Sequence, residues 1–193
     1  MSYFTIKRLQ EKHISKYNVK EFILKMIRSE YGYGFIPEYH QDIKDMETYY
    51  LDHERNNFFV AIHQESDKVI GTIGIRAYDK DFPIFKDIYN PQTTASIWRV
   101  FVDKRWRRNG VASNLVRSVE EFCRDMDYHK VYLHTHKTVQ GSLDFWISNG
   151  YKIVEDTGNH LKTVHMEKIL YPLPNSSLVF LREHSASEDN LIL

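Results

Sequence analysis

Apolar positions change their period along this chain, and those changes mark out its elements. Tyr3 to Leu9 alternates, with Phe4 and Ile6 on one side, as a half-buried strand does. From Ser15 to Glu30, Val19, Phe22, Ile23, Met26 and Ile27 recur at helical spacing, and Gly32, Gly34 and Pro37 end the run. Gln41 to Leu51 predicts a second helix with Ile43, Met46 and Tyr50 inward. Asn57 to His63 and Val69 to Arg76 are rich in β-branched and aromatic residues. Asp67-Lys68 in the short connection between them predicts an antiparallel hairpin. Asp79 to Thr94 carries two prolines and no clean period, which reads as a loop with a helical turn near Phe85.

The period then switches within one stretch. Ile97 to Val102 reads as a strand, and Val111, Leu115, Val119, Phe122 and Met126 form the stripe of an amphipathic helix. Lys130 to His136 is a further strand. Thr138 to Ser148 predicts a helix with Leu143, Trp146 and Ile147 on one face, closed by Asn149-Gly150. Tyr151 to Val154 and Thr163 to Ile169 form a last hairpin around Thr157-Gly158-Asn159. Pro172, Pro174 and Asn175-Ser176-Ser177 predict a boundary. Residues 1–170 are then one domain, and residues 171–193 an extension that is either a flexible tail or an arm against a partner subunit, which leaves a homodimer open.

Composition narrows the function classes. The 193 residues suit one domain with a sizeable core, and 42% hydrophobic with 27% charged residues is ordinary for a globular protein. Lys plus Arg and Asp plus Glu both number 26, whereas a general nucleic-acid binder carries a basic excess. The basic run Lys104-Arg105-Trp106-Arg107-Arg108 is local and favours a small phosphorylated ligand over a polyanion. Cys123 is the single cysteine and falls on the apolar side of the central helix, as a buried structural thiol does. No apolar run approaches the roughly 20 residues of a membrane span, and the first residues lack a leader pattern, so a cytoplasmic protein with no membrane partner is expected.

The candidate chemistry lies where the strand enters the central helix. Arg107-Arg108-Asn109-Gly110-Val111-Ala112-Ser113 puts unpaired helix-start amides beside a glycine without a Cβ, a small alanine and two mobile cations, which suits phosphate oxygens. The sequence lacks both the P-loop and the Gly-x-Gly-x-x-Gly fingerprints.

Arg-x-x-Gly-x-Ala directly after Val100-Phe101-Val102 resembles the pyrophosphate-binding motif of the GNAT superfamily of acyl-CoA-dependent N-acyltransferases, and the resemblance spans roughly Phe4 to Leu170. It implies an α/β (α+β) fold: a mixed, twisted, mostly antiparallel sheet with splayed central parallel strands and helices on both faces. It also implies acetyl-CoA as co-substrate, no metal, and an amine acceptor on a small molecule or peptide, attacked directly in a ternary complex. Carried over, the main chain of Val100, Phe101 and Val102 binds the pantetheine arm. Arg107, Arg108, Asn109, Gly110, Val111, Ala112 and Ser113 cradle the pyrophosphate, and the N–H of Val102 or Phe101 stabilises the oxyanion. Trp146 falls where many members carry an acidic tyrosine, as a core or cofactor-facing aromatic, and Val139 falls where an asparagine is usual.

Counting back in twos from Val102 reaches Val100, Trp98 and Ser96, none of them a base, which leaves His134 and His136 on the next strand, with His134 the candidate base. Tyr31, Tyr33 and Trp98 are candidate acceptor contacts, and Glu30, Glu38, Asp42 and Tyr39 an acidic, aromatic lip or else a solvated helix face. The alternative function is a non-catalytic acyl-CoA sensor or scaffold on the same fold.

Overall fold

The computed structural model describes residues 3–170. The extension read from Pro172 and Pro174 lies outside the described residues. The chain forms β1 (Phe4–Arg8), α1 (Glu11–Lys16), α2 (Val19–Tyr31), α3 (Pro37–Lys44), β2 (Asn57–His63), β3 (Val69–Ala77), β4 (Thr94–Val102), α4 (Val111–Asp125), β5 (Lys130–His136), α5 (Ser142–Ser148), β6 (Lys152–Asp156) and β7 (Thr163–Ile169).

Among the described residues seven strands make one sheet in the order β1-β2-β3-β4-β5-β7-β6, antiparallel throughout except where β4 meets β5. On one face α4 and α5 cover a core that includes Phe59, Ile73, Ile97, Leu115, Phe122, Val131 and Met166. On the other, α1 to α3 and a π-turn at Glu47–Leu51 bury Ile23, Ile27, Ile43, Met46, Tyr50, Phe58 and Val60. This is the expected mixed sheet with helices on both faces.

Three helical regions depart from what the sequence predicts, and β4 starts at Thr94, three residues before the expected Ile97. The helix expected over residues 15–30 starts earlier and is split, because Asn18 takes a left-handed conformation (φ 50°) that the asparagine side chain tolerates better than most. The second helix starts at Pro37, whose fixed φ suits the first helical position, and ends at Lys44. The π-turn then carries Tyr50 inward, beside the already buried Met46. Helix α5 begins only after Gly141; Leu143 and Trp146 turn inward as expected, together with Phe145, while Ile147 is 50% exposed. A hydrogen bond of 2.6 Å between Ser142 Oγ and Thr135 Oγ1 ties the start of the helix to β5.

The loop between β3 and β4 does more than connect. Phe82, Phe85 and Tyr89 pack on Tyr78 and on Tyr132 of β5, the turn near Phe85 is a single 3-10 turn at Pro83–Phe85, and the loop thereby walls one end of the sheet.

Candidate active site

The site begins as a break in strand pairing. β4 and β5 run side by side over three pairs, Thr94 with Lys130, Ala95 with Val131 and Ser96 with Tyr132. Beyond Ser96 no further β4–β5 pair follows among the described residues, while β5 stays paired to β7 from Lys130 to His136. The two central strands therefore splay, and the β5-facing main chain of Trp98 to Val102 borders an opening. Exposed main chain of that kind accepts an extended ligand as though it were one more strand.

A bulge sits in the same segment. Trp98 pairs with Gly74 and Phe101 with Thr72, so Arg99 and Val100 together face the single residue Ile73 of β3. Arg99 takes φ 50°, and its carbonyl accepts a hydrogen bond of 2.9 Å from Thr72 Oγ1. The extra residue changes the phase of the strand. Ala95 and Ile97 face α4 before it, Val100 and Val102 face α4 after it, and Trp98 and Phe101 pack on the opposite core. Counting in twos back from Val102 therefore fails at Arg99: Trp98 is not on the face of Val102 but on the side away from α4.

Past β4, a 3-10 turn at Lys104–Trp106 leads to Arg108 and Gly110, with φ of 66° and 76°, and then to α4. Among the described residues, none of the amides from Arg108 to Ser113 has an acceptor. The first that has one is Asn114, bonded to the Gly110 carbonyl at 3.0 Å. Asn114 Nδ2 donates to the same carbonyl at 2.8 Å, and Asn109 Nδ2 to that of Arg107 at 3.0 Å. Side-chain amides thus occupy the carbonyls and leave the N–H groups for an anion.

Gly71 on β3 allows α4 to start this close to the sheet: a Cβ there would meet Val111 Cγ1 at 2.9 Å and the Phe101 carbonyl oxygen at 3.2 Å. A glycine inside a strand pattern is the sequence signal for such an approach.

The basic run is mostly spoken for. Arg105 pairs with Asp103 at 2.8 Å, and Arg107 reaches Glu30 on α2 at 2.6 Å and the Val102 carbonyl at 3.2 Å. Lys104 also faces Glu30. Arg108 pairs with no carboxylate among the described residues and stands exposed at the turn. Val111 and Trp146 have buried side chains, 1% and 5% exposed, and Trp146 lies edge-on between Phe145 and Tyr151 in the main core.

On the face away from α4, charges gather around Trp98. Asp42, from α3, accepts from Arg99 Nε at 2.9 Å and from the Tyr50 hydroxyl at 2.6 Å. Burial alone would raise the Asp42 carboxyl, but the Arg99 guanidinium and the Tyr50 hydroxyl outweigh it and hold its pKa below the ordinary value. Arg76 pairs with Asp79 and stacks over the Trp98 ring at 4.4 Å. Lys80 Nζ lies over that ring too, 2.8 Å from its centroid. His134 stands across the opening, reachable by solvent yet walled by Phe82, His165 and His136. Loss of surrounding water first, then nearby positive charge, lowers its pKa, so it is neutral at pH 7.

The acidic lip is absent in that form. Of its three carboxylates, Asp42 is consumed by Arg99 and Glu30 by Arg107 and Lys104. Tyr31 and Tyr33 stack on each other at 5.7 Å and remain 42% exposed at the end of α2, with Tyr33 also against His40. Arg76, Lys80 and Arg99 were not foreseen as site residues. Arg76 and Arg99 interrupt apolar strand runs, which calls for a partner; Lys80 carries no comparable mark.

The profile of the acetyltransferase (GNAT) family matches residues 21–151. N-acetyltransferase 8 of Rattus norvegicus is 29% identical over 141 residues, which cover 71% of this chain and 60% of that relative. The chain thus spans less than two thirds of its length. The crystal structure of a GNAT-family acetyltransferase from Staphylococcus aureus Mu50 superposes with a TM-score of 0.68 at 20% identity, covering 87% of this chain and 99% of the other. An aminoglycoside 6'-N-acetyltransferase complexed with coenzyme A superposes with a TM-score of 0.64 at 16% identity, over 89% and 99%.

Proposed function

This chain belongs to the acetyltransferase (GNAT) family, and from that premise we propose that it transfers the acetyl group of acetyl-CoA to a primary amine of a small molecule or peptide. The observation that carries the proposal is the splay of β4 from β5 after Ser96, aligned with a row of amides at Arg108 to Ser113 that have no acceptor among the described residues.

The pantetheine arm lies along Val100 to Val102 in the splay, and the pyrophosphate meets the amides of Arg108 to Ser113, with Arg108 at the rim. Hydrogen bonds to charged oxygens are worth about 1.5 to 3 kcal/mol each, so the amide row outweighs any single arginine. The arm runs from those amides back along β4, so the acetyl carbonyl lies at the Trp98 end of the splay, where a main-chain N–H of β4 that faces the opening receives the charge that develops on oxygen. The amine arrives from the face of Trp98, since α4 and its core fill the other. It attacks as the free base, forms the N–C bond, and the C–S bond breaks to release coenzyme A. A cytoplasmic site of action is part of this reading.

The test is direct. Incubation with acetyl-CoA and a panel of primary amines should release free thiol in an amine-dependent manner. Acetyl-CoA that binds without thiol release for any amine would instead identify an acyl-CoA sensor.

A further inference from the structure

We propose that Lys80 is the general base of this site, taking the proton from the acceptor's ammonium group above the Trp98 ring. The proposal rests on the acetyltransferase reading and adds the group that makes the amine nucleophilic. An alkylammonium has a pKa near 10.4, so at neutral pH an acceptor arrives protonated and cannot attack.

Position argues first. Trp98 is two residues beyond the last paired residue of β4, and His134 two beyond that of β5. Both flank the mouth of the splay on the side away from α4. Lys80 reaches this mouth from the loop after β3, part-buried, with its nitrogen over Trp98 and close enough to His134 to perturb it. An amine approaching a thioester laid in the splay from this side passes that nitrogen.

Charge argues second. Arg76 of β3, Arg99 of β4 and Asp42 of α3 face Lys80, as does neutral His134 of β5. Both arginines have carboxylate partners, Asp79 and Asp42, whereas Lys80 has none among the described residues. The Trp98 face and Asp42 favour the ammonium, but burial and the two guanidiniums oppose it and outweigh them. Burial, then Arg76 and Arg99, lower Lys80 to about 6, so at neutral pH its amine is free to accept a proton. The other side chains at the mouth are worse bases. The Trp98 indole donates to Ser96 Oγ at 2.9 Å, and His165 shares a 2.6 Å hydrogen bond with the Tyr132 hydroxyl.

The protons balance. Neutral Lys80 takes one proton from the acceptor ammonium, and the freed lone pair forms the bond to the acetyl carbon. As the C–S bond breaks, the nitrogen loses a second proton and the departing thiolate gains one. Lys80 then returns its proton to solvent.

The test compares pH profiles with the best acceptor of the amine panel. Wild type should show kcat/KM rising through a midpoint near 6 to a plateau that lasts until the acceptor itself deprotonates. Lys80→Met should lower kcat/KM at pH 7 by about 100-fold or more with acetyl-CoA affinity unchanged, and should replace the plateau by a tenfold rise per pH unit. Lys80→Arg keeps the length but carries a permanent charge and cannot act as a base, so it should match Lys80→Met.

A plateau that survives in Lys80→Met, or activity restored in Lys80→Arg, overturns the proposal and leaves the acetyltransferase reading intact. Absence of thiol release with every amine overturns both. A second measurement needs no variant activity: NMR titration of 13Cε-lysine-labelled wild type, with Lys80 assigned by its loss in Lys80→Met. A midpoint near 6 is expected, and one near the ordinary 10.5 rules the base out.

Discussion

The two faces of β4 solve different problems by different means. On the α4 side, strand, turn and helix come from one continuous stretch, Thr94 to Asp125, and what they offer a ligand is main chain: a splayed strand and a row of free amides. On the other side Asp42, Arg76 with Lys80, Trp98 and His134 come from four separate stretches, and what they offer is side-chain charge. A ligand common to a whole family can be held by backbone geometry that tolerates sequence drift. The group that varies from enzyme to enzyme is met by side chains that long-range packing must bring together. The bulge at Arg99 joins the two, because one extra residue turns Val100 and Val102 toward α4 while its own side chain reaches Asp42 on the far side.

The sharpest way to break this contrast is to unpair the charged side. Asp42→Ala would leave the Arg99 guanidinium, 14% exposed, without its partner, and removal of one member of a buried pair costs about 3 to 5 kcal/mol. Urea unfolding should show that loss, with Asp42→Asn less severe. Because the folded-state pKa of Asp42 is depressed, its contribution is fully present above the unfolded carboxyl value and lost as pH falls through the folded value. Acid unfolding of Asp42→Asn should accordingly be less pH-dependent in that window than wild type.

The main-chain side is probed next. Gly110→Leu would impose φ of 76° on a side chain that disfavours it by about 1 to 2 kcal/mol, and would fill space an anion needs. Calorimetry should show acetyl-CoA bound about tenfold more weakly or worse; unchanged affinity would place the pyrophosphate elsewhere. Thr72→Val removes the hydrogen bond to the Arg99 carbonyl and should cost about 1 kcal/mol of stability. A larger fall in activity than in stability would show that the bulge itself positions the reaction. Arg108→Ala should have the smallest effect, about 0.3 to 1 kcal/mol of acetyl-CoA affinity, diminishing further in high salt.

Periodicity and local chemistry were enough to find every strand of the described residues, though not the start of β4 at Thr94 or the end of β6 at Asp156, and were enough for α4, for Gly32 as the stop of α2 and for the turn ending at Gly110, because each depends on neighbours within a few residues. Departures arose where a distant contact set the outcome. Core packing took up Phe145 beside Leu143 and Trp146 and left Ile147 outside, and the Thr72 hydrogen bond spans a bulge that alternation alone does not reveal.

The sequence by itself determined the order of elements, the strand–turn–helix built to meet an anion, and the family that this pattern resembles. Hydrophobic period and turn residues act over short spans and can be read directly. Which carboxylates are neutralised, which face Trp98 takes and which amine is left without a counter-ion were decided by the tertiary structure alone. Charge pairing and loss of water depend on groups far apart in the chain: Lys80 is an unremarkable loop residue until Arg76, Arg99 and the Trp98 ring close around it.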